Sequence, residues 1–99
     1  MPYAIRFLDD EGVLERKKTL RPDHLAYVTA NTPRIIASGG IFPDDDDFPI
    51  GGLIILDTEL RQEAVDYIEN DPFFLHGIFT RYTVDRFKKF VFDGRRVTP

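Results

Sequence analysis

Strand-like and helix-like segments follow one another along this chain in the order β-α-β-β-α-β, which predicts an α+β, ferredoxin-like fold with two helices on one face of an antiparallel sheet. Three observations carry that prediction. Tyr3 to Leu8 alternates with a period of two, putting Tyr3, Ile5 and Phe7 on one face. Two later stretches are helical in period: Leu20, His24, Tyr27 and Val28, then Leu60, Ala64, Val65 and Ile68. Between them Leu53-Ile54-Ile55-Leu56 is apolar at every position, whereas an antiparallel sheet wet on one side should alternate. Something must cover the second face. A second copy laid sheet against sheet is the economical cover, giving a two-fold homodimer.

Each element has its own local signals. Asp9-Asp10-Glu11-Gly12 breaks the first strand, and a polar connection is expected to run to Lys18. Thr19 is a candidate N-cap, with Pro22 in the first helical turn, where its missing N–H costs nothing. Asn31-Thr32-Pro33 ends this helix, because proline restricts the residue before it. A second strand spans Arg34 to Phe42, interrupted by Gly39-Gly40, and Pro43 with Asp44 to Asp47 forms a loop. Asp57 and Thr58 offer caps for the second helix, with Glu59 near its positive end. Asp71-Pro72 closes that helix or starts another turn. The fourth strand is expected from about Ile78, and Phe90-Val91-Phe92 before Asp93-Gly94 reads as a fifth.

Ninety-nine residues, 42% of them hydrophobic, make a single domain over 1–99. A domain of this size buries only about 60–68% of its unfolded surface, so pairing with a second copy adds stability. The chain has no cysteine, which removes disulfides, thiolate metal sites and a cysteine nucleophile, and fits a reducing compartment. Its apolar runs are far short of a membrane span and no basic-then-apolar leader opens it, so a soluble cytoplasmic protein is expected. The net charge of −4 argues against a nucleic-acid partner. Charge is uneven: residues 78–99 hold six Lys/Arg against two Asp, leaving −8 for residues 1–77. That basic tail is either an exposed strand guarded against edge pairing or a binding patch.

The residues with chemistry to offer sit in Arg21-Pro22-Asp23-His24-Leu25 and in Asp71-Pro72-Phe73. With the first strand running up, the first helix descends from the top and the second climbs back to it. His24, in the first turn of one, and Asp71, at the end of the other, then share an end of the sheet on the helical side. A carboxylate holds an imidazole in one tautomer, leaving the other ring nitrogen to exchange a proton with a substrate or a water. Two plainer readings stand beside this one. His24 can be a core residue with a satisfied hydrogen bond, and Asp71 can be the N-cap of a short turn with Pro72 at N1. Arg21 either holds a substrate carboxylate or phenolate, or pairs with Asp71 or another acid. Tyr27, three residues past His24, is a core residue or an acid catalyst in the pocket; His76, beside Gly77, is a pocket residue or a surface histidine.

Other chemistries find little support. His24 and His76 have no ligand-spaced partner, and Asp44–Asp47 lacks the spaced Asp and Gly of a calcium loop, so neither a metal nor another cofactor is expected. An RNA-recognition module shares the element order, but its third strand carries basic and aromatic residues, and Gly52-Leu53-Ile54-Ile55-Leu56-Asp57 has neither. Ser38, the only serine, lies outside any Gly-x-Ser-x-Gly motif.

Four short motifs follow one another along the chain: Arg21-Pro22-Asp23-His24-Leu25-Ala26-Tyr27, Gly39 after the second strand, Gly51-Gly52-Leu53, and Asp71-Pro72-Phe73 with Gly77 soon after. In these the chain resembles the YciI-like (YCII-related) family of the dimeric α+β barrel group, over residues 1 to about 90. The resemblance implies a dimer through the sheet faces and an active site built on His24 and Asp71. The Asp44–Asp47 loop and the Phe- and Lys-rich tail depart from the family's usual look. Two functions remain open at this level. One is a cofactor-independent lyase, isomerase or hydrolase acting on a small aromatic or anionic metabolite through His24 and Asp71, with Arg21, Tyr27 and His76 as substrate-binding candidates. The other is a non-catalytic, homodimeric ligand-binding module.

Overall fold

Every second residue of Tyr3–Leu8 (β1) is buried, and the period of two read in the sequence becomes the inner face of a sheet. The structure, a computed structural model, describes residues 1–97. Strands Ile35–Ile41 (β2), Gly51–Leu56 (β3) and Tyr82–Arg86 (β4) complete a four-stranded sheet of order β2-β3-β1-β4, antiparallel at each pairing. Ile5 lies opposite Ile54 on one side and Val84 on the other, so all three point into one core with Leu56, Ala64, Tyr67, Ile68 and Phe79. This is the ferredoxin-like α+β arrangement of the dimeric α+β barrel group.

The first helix, Leu14–Asn31 (α1), begins well before the expected cap at Thr19. Val13 and Lys17 are both buried and continue the stripe of Leu20, His24 and Tyr27 upstream at helical spacing. A lysine on that stripe disguised it as a polar connection. Thr19 is therefore inside the helix, its hydroxyl donating to the Glu15 carbonyl at 3.2 Å. Pro22 is interior as well, where the missing N–H leaves the Lys18 carbonyl without its usual donor. His24 is thus mid-helix rather than in a first turn. A 3₁₀ turn over Thr32–Arg34 leads into β2.

Two further expectations are corrected, on the glycines of β2 and on the start of β4, and the two readings of Asp71-Pro72 are decided in favour of the cap. Gly39 and Gly40 do not interrupt β2, because they pair with Leu53 and Gly52 and the strand runs through them. Asp71 does not end the second helix, Arg61–Glu69 (α2); it caps a separate short helix, Pro72–Leu75 (α3). Its side chain accepts from the Phe73 N–H at 2.8 Å with Pro72 at N1. At the other end Gly77 takes φ +74°, donating to the Phe74 carbonyl while Ile78 donates to that of Phe73, a Schellman closure. That closure turns the chain so that Ile78 and Phe79 plug the core as irregular segment, and β4 begins only at Tyr82. Phe79 is fully buried and stacks on Phe7 at 4.0 Å.

Beyond β4, Val91–Phe92 (β5) and Arg95–Arg96 (β6) form a hairpin around Asp93-Gly94, both at positive φ, as a two-residue turn of the primed type requires. Among the described residues no helix is long and apolar enough to cross a membrane.

Candidate functional site

A cavity of about 270 Å³ opens between α1 and the β2–β3 side of the sheet. Missing side chains make the room. Gly40 and Gly52 face each other across β2 and β3, on the alternation that also presents Ser38 and Ile54. A Cβ on Gly52 would sit 2.8 Å from the Phe7 ring, and one on Gly40 would sit 3.0 Å from Pro49 and 3.1 Å from Phe42. Helix α1 lends Lys17, Arg21, His24, Leu25 and Val28, one stripe of its surface. Phe42, Phe48 and Pro49 of the β2–β3 connection form the rim, while Tyr67, Asp71 and Phe73 stand behind.

His24 and Asp71 meet in this cavity. The His24 Nδ1 lies 3.0 Å from both carboxylate oxygens of Asp71, and the imidazole stacks on Phe73 at 4.0 Å and 7°. The cap that starts α3 is therefore also what orients the imidazole. A carboxylate oxygen accepts, so the contact is one in which Nδ1 donates to Asp71, and Nε2 has no protein partner among the described residues. The side chain of Asp71 is 2% exposed and that of His24 22%, so the carboxylate is sealed in and the imidazole is reachable.

Lys17 is the polar residue of the cavity that the sequence reading missed. Its ammonium is buried, donating to Asp9 Oδ2 at 2.6 Å and to the Pro49 carbonyl at 2.7 Å. The Phe48 and Phe73 rings lie 5.6 and 5.5 Å away. Burial raises the Asp9 carboxyl above its usual pKa, with the hydrogen bond from Lys17 pulling the other way. The signal was present as Val13-x-x-x-Lys17-x-x-Leu20, a lysine at an apolar position of a helical stripe. Tyr67 was also missed. Burial, then the nearby Asp71 charge, pushes its phenol above its ordinary range.

The other sequence candidates are placed as follows. Arg21 is exposed, lines the cavity, and makes no ion pair among the described residues, so the suggested bridge to Asp71 is absent. Tyr27 lies outside the cavity lining. Its hydroxyl donates to the Tyr67 carbonyl at 2.7 Å and its ring packs against the core, which makes it a tie between α1 and α2. His76 is an exposed residue at the end of α3, away from the cavity, beside Arg16, whose guanidinium donates to the His76 and Gly77 carbonyls. Asp44–Asp47 is an exposed turn, and Asp46 accepts from the Phe48 N–H at 3.2 Å, fixing the rim beside the cavity.

Fold and site together define a ferredoxin-like α+β domain with a carboxylate-held histidine in a small aromatic-lined cavity. The family model of the YCII-related domain matches residues 1–88, and the chain belongs to that family. It is 27% identical over 96 residues to Protein YciI of Escherichia coli O6:H1 (strain CFT073), covering 90% of this chain and 98% of that one. The same figures hold for Protein YciI of Shigella flexneri. Among solved structures it is similar to the 5-chloro-2-hydroxyhydroquinone dehydrochlorinase TftG of Burkholderia phenoliruptrix AC1100, in complex with 2,5-dihydroxybenzoquinone. That likeness has a TM-score of 0.79 at 29% identity, over 89% of this chain and 94% of that one.

Proposed function

We propose that this protein is a cofactor-independent enzyme that acts on a small aromatic, anionic metabolite by general acid–base chemistry, of lyase type. The observation that carries the reading is the His24 imidazole in a cavity, held at Nδ1 by buried Asp71 with Nε2 left free. Supporting it, the cavity is at the small end of ligand sites, suited to one ring, and its walls are largely aromatic and apolar. The similar dehydrochlorinase acts on a chlorinated hydroxyquinol and holds a dihydroxybenzoquinone, a ligand of that size and charge.

In the chemistry proposed, His24 Nε2 takes a proton from an acidic C–H or O–H of the ring substrate. The electron pair left behind spreads onto a ring oxygen or, in an elimination, forms a new double bond as an anion such as chloride departs. Asp71 holds the ring in position and stabilises the imidazolium until the proton is released to water. Arg21, at the cavity edge, draws the anion in. The active species is a cytoplasmic homodimer joined through the open sheet faces, where Leu8 and Leu53 are left exposed, 45% and 42%, in the single chain.

The test is a panel of hydroxylated and chlorinated hydroquinones assayed for consumption, with His24→Ala and Asp71→Asn alongside. Turnover by the unaltered protein is expected, with His24→Ala slower by about 10²–10⁴-fold. Compounds that bind but are never consumed, with substitutions that change affinity alone, would instead make this a ligand-binding module.

A further inference from the structure

A buried tyrosine normally gives its hydroxyl a partner, as Tyr27 does by donating to the Tyr67 carbonyl at 2.7 Å. Tyr67 itself does not. It is 2% exposed, its ring packs in the core beside that of Tyr27 at 5.3 Å, and its hydroxyl has no protein partner among the described residues. Among those residues, Asp9 Oδ1 is the one side-chain polar atom that is fully enclosed without a partner. The Tyr67 oxygen is therefore not sealed in, and its opening is onto the cavity whose wall the residue forms. The place is fixed, because the bond from Tyr27 ties α2 to α1 at Tyr67. Tyr27 lies ten residues past Lys17 along α1, about 15 Å of helix axis, so the cavity's cations, Lys17 and Arg21, are upstream of this point. Burial and the Asp71 charge hold the phenol above its ordinary range, against a weaker pull from Arg34, so it keeps its proton. An uncharged oxygen suits this end of the cavity, because a second anion would lie beside the Asp71 carboxylate.

We propose that the Tyr67 hydroxyl is a binding group of this cavity, donating a hydrogen bond to an uncharged oxygen on the ligand's ring. The proposal rests on the cavity being the substrate site and adds to that reading a residue that selects among rings. The substrate class narrows accordingly. Besides the acidic group offered to His24, the ring carries a carbonyl, ether or hydroxyl oxygen on the side that faces α2. A ring with carbon in that place leaves the phenol unpaired where little water reaches it, and a site built around a hydrogen bond rejects such analogues. The donor is held by the Tyr27 bond and by the core, so no side chain has to be ordered before the contact forms. For the fold alone, phenylalanine would fill the same position without an oxygen to desolvate.

Two pairs of probes test this. 4-Methoxyphenol and 4-ethylphenol have nearly the same shape and differ in one ether oxygen against one methylene; 3-methoxyphenol and 3-ethylphenol repeat the comparison at the meta position. Equilibrium titration of each against the full chain requires no turnover. The unaltered protein should favour the ether, in at least one pair, by about two- to tenfold. In Tyr67→Phe that preference should vanish through loss of affinity for the ether, with the ethyl compound bound as before or more tightly. Without ligand, the same variant should melt at or above the temperature of the unaltered protein, because the oxygen removed has no partner in the fold. A purely structural hydroxyl would give the opposite results, a lower melting temperature and unchanged discrimination. No ether preference in either pair, no binding of any of the four, a preference that survives in Tyr67→Phe, or a variant that melts lower or fails to fold would each overturn the proposal. Discrimination lost in Tyr67→Phe, with no hydroquinone consumed, would strike the proposed chemistry and leave the role of Tyr67 standing; consumption without discrimination would do the reverse.

Discussion

The two faces of the sheet invert the usual distribution of polarity. On the helix side, Lys17 and Asp71 are buried among Phe7, Ile54 and Phe73. On the other side Leu8 and Leu53 are open to solvent, beside Arg6, Thr83 and Asp85. Burying an ion without a partner costs several kcal/mol, so polar groups inside are held only where partners satisfy them. Lys17 and Asp71 each have two such partners. The exposed leucines have nothing comparable to offset their contact with water, and a covering surface would supply it. One face is closed around a carboxylate-held imidazole, and the other leaves its apolar side chains uncovered in the single chain.

Substitutions can break that contrast from either side. The largest effect on stability is expected at the closed face: Phe79→Ala removes a fully buried ring stacked on Phe7 and should cost about 3–5 kcal/mol, read as a lower urea midpoint. Gly52→Val fills the cavity floor where a Cβ already falls 2.8 Å from Phe7, whose ring is pinned by Phe79. About 1–3 kcal/mol of overpacking is expected, together with loss of ring-ligand binding in the same titrations.

At the open face, Leu53→Asp places a charge where the side chain is exposed in the single chain, so the monomer should still fold, read as an unchanged circular dichroism spectrum. It should nevertheless convert a species of twice the chain mass to a monomer by sedimentation at micromolar concentration. A monomer before the substitution would remove the association half of the contrast.

The smallest effect expected is at high pH. Burial, reinforced by its bond to Glu69, raises the Tyr82 phenol to about 12. A group raised in the folded state supports the fold fully below its unfolded value of 10.0 and loses that support as pH climbs toward 12. The melting temperature should therefore begin to fall near pH 10, and less steeply in Tyr82→Phe.

How much was legible depends on how local each signal was. The α3 unit reads directly from Asp71-Pro72 and Gly77, because a capping carboxylate, a proline at N1 and a residue free to take positive φ act within a few residues of one another. The Asp93-Gly94 turn is legible for the same reason. The start of α1 was not, because helical period is judged by apolar side chains and its second stripe position is Lys17. That lysine is inside only because Asp9, eight residues earlier, and Pro49, from a different loop, come to meet it. Tyr27 and Tyr67 show the same limit. Both lie on inward stripes, and packing alone decided that Tyr67 lines the cavity while Tyr27 spends its hydroxyl on a carbonyl.

By itself, then, the amino-acid order determined the succession of elements, the inner face of β1, the caps of α3 and the residue types able to exchange a proton, since each follows from periodicity or from contacts a few bonds away. Tertiary structure alone decided that a helix cap should double as the holder of His24, that Lys17 should be inside, and that paired glycines should leave a space under α1. These are distances between segments far apart along the chain, set by how whole elements pack, and no local pattern encodes them.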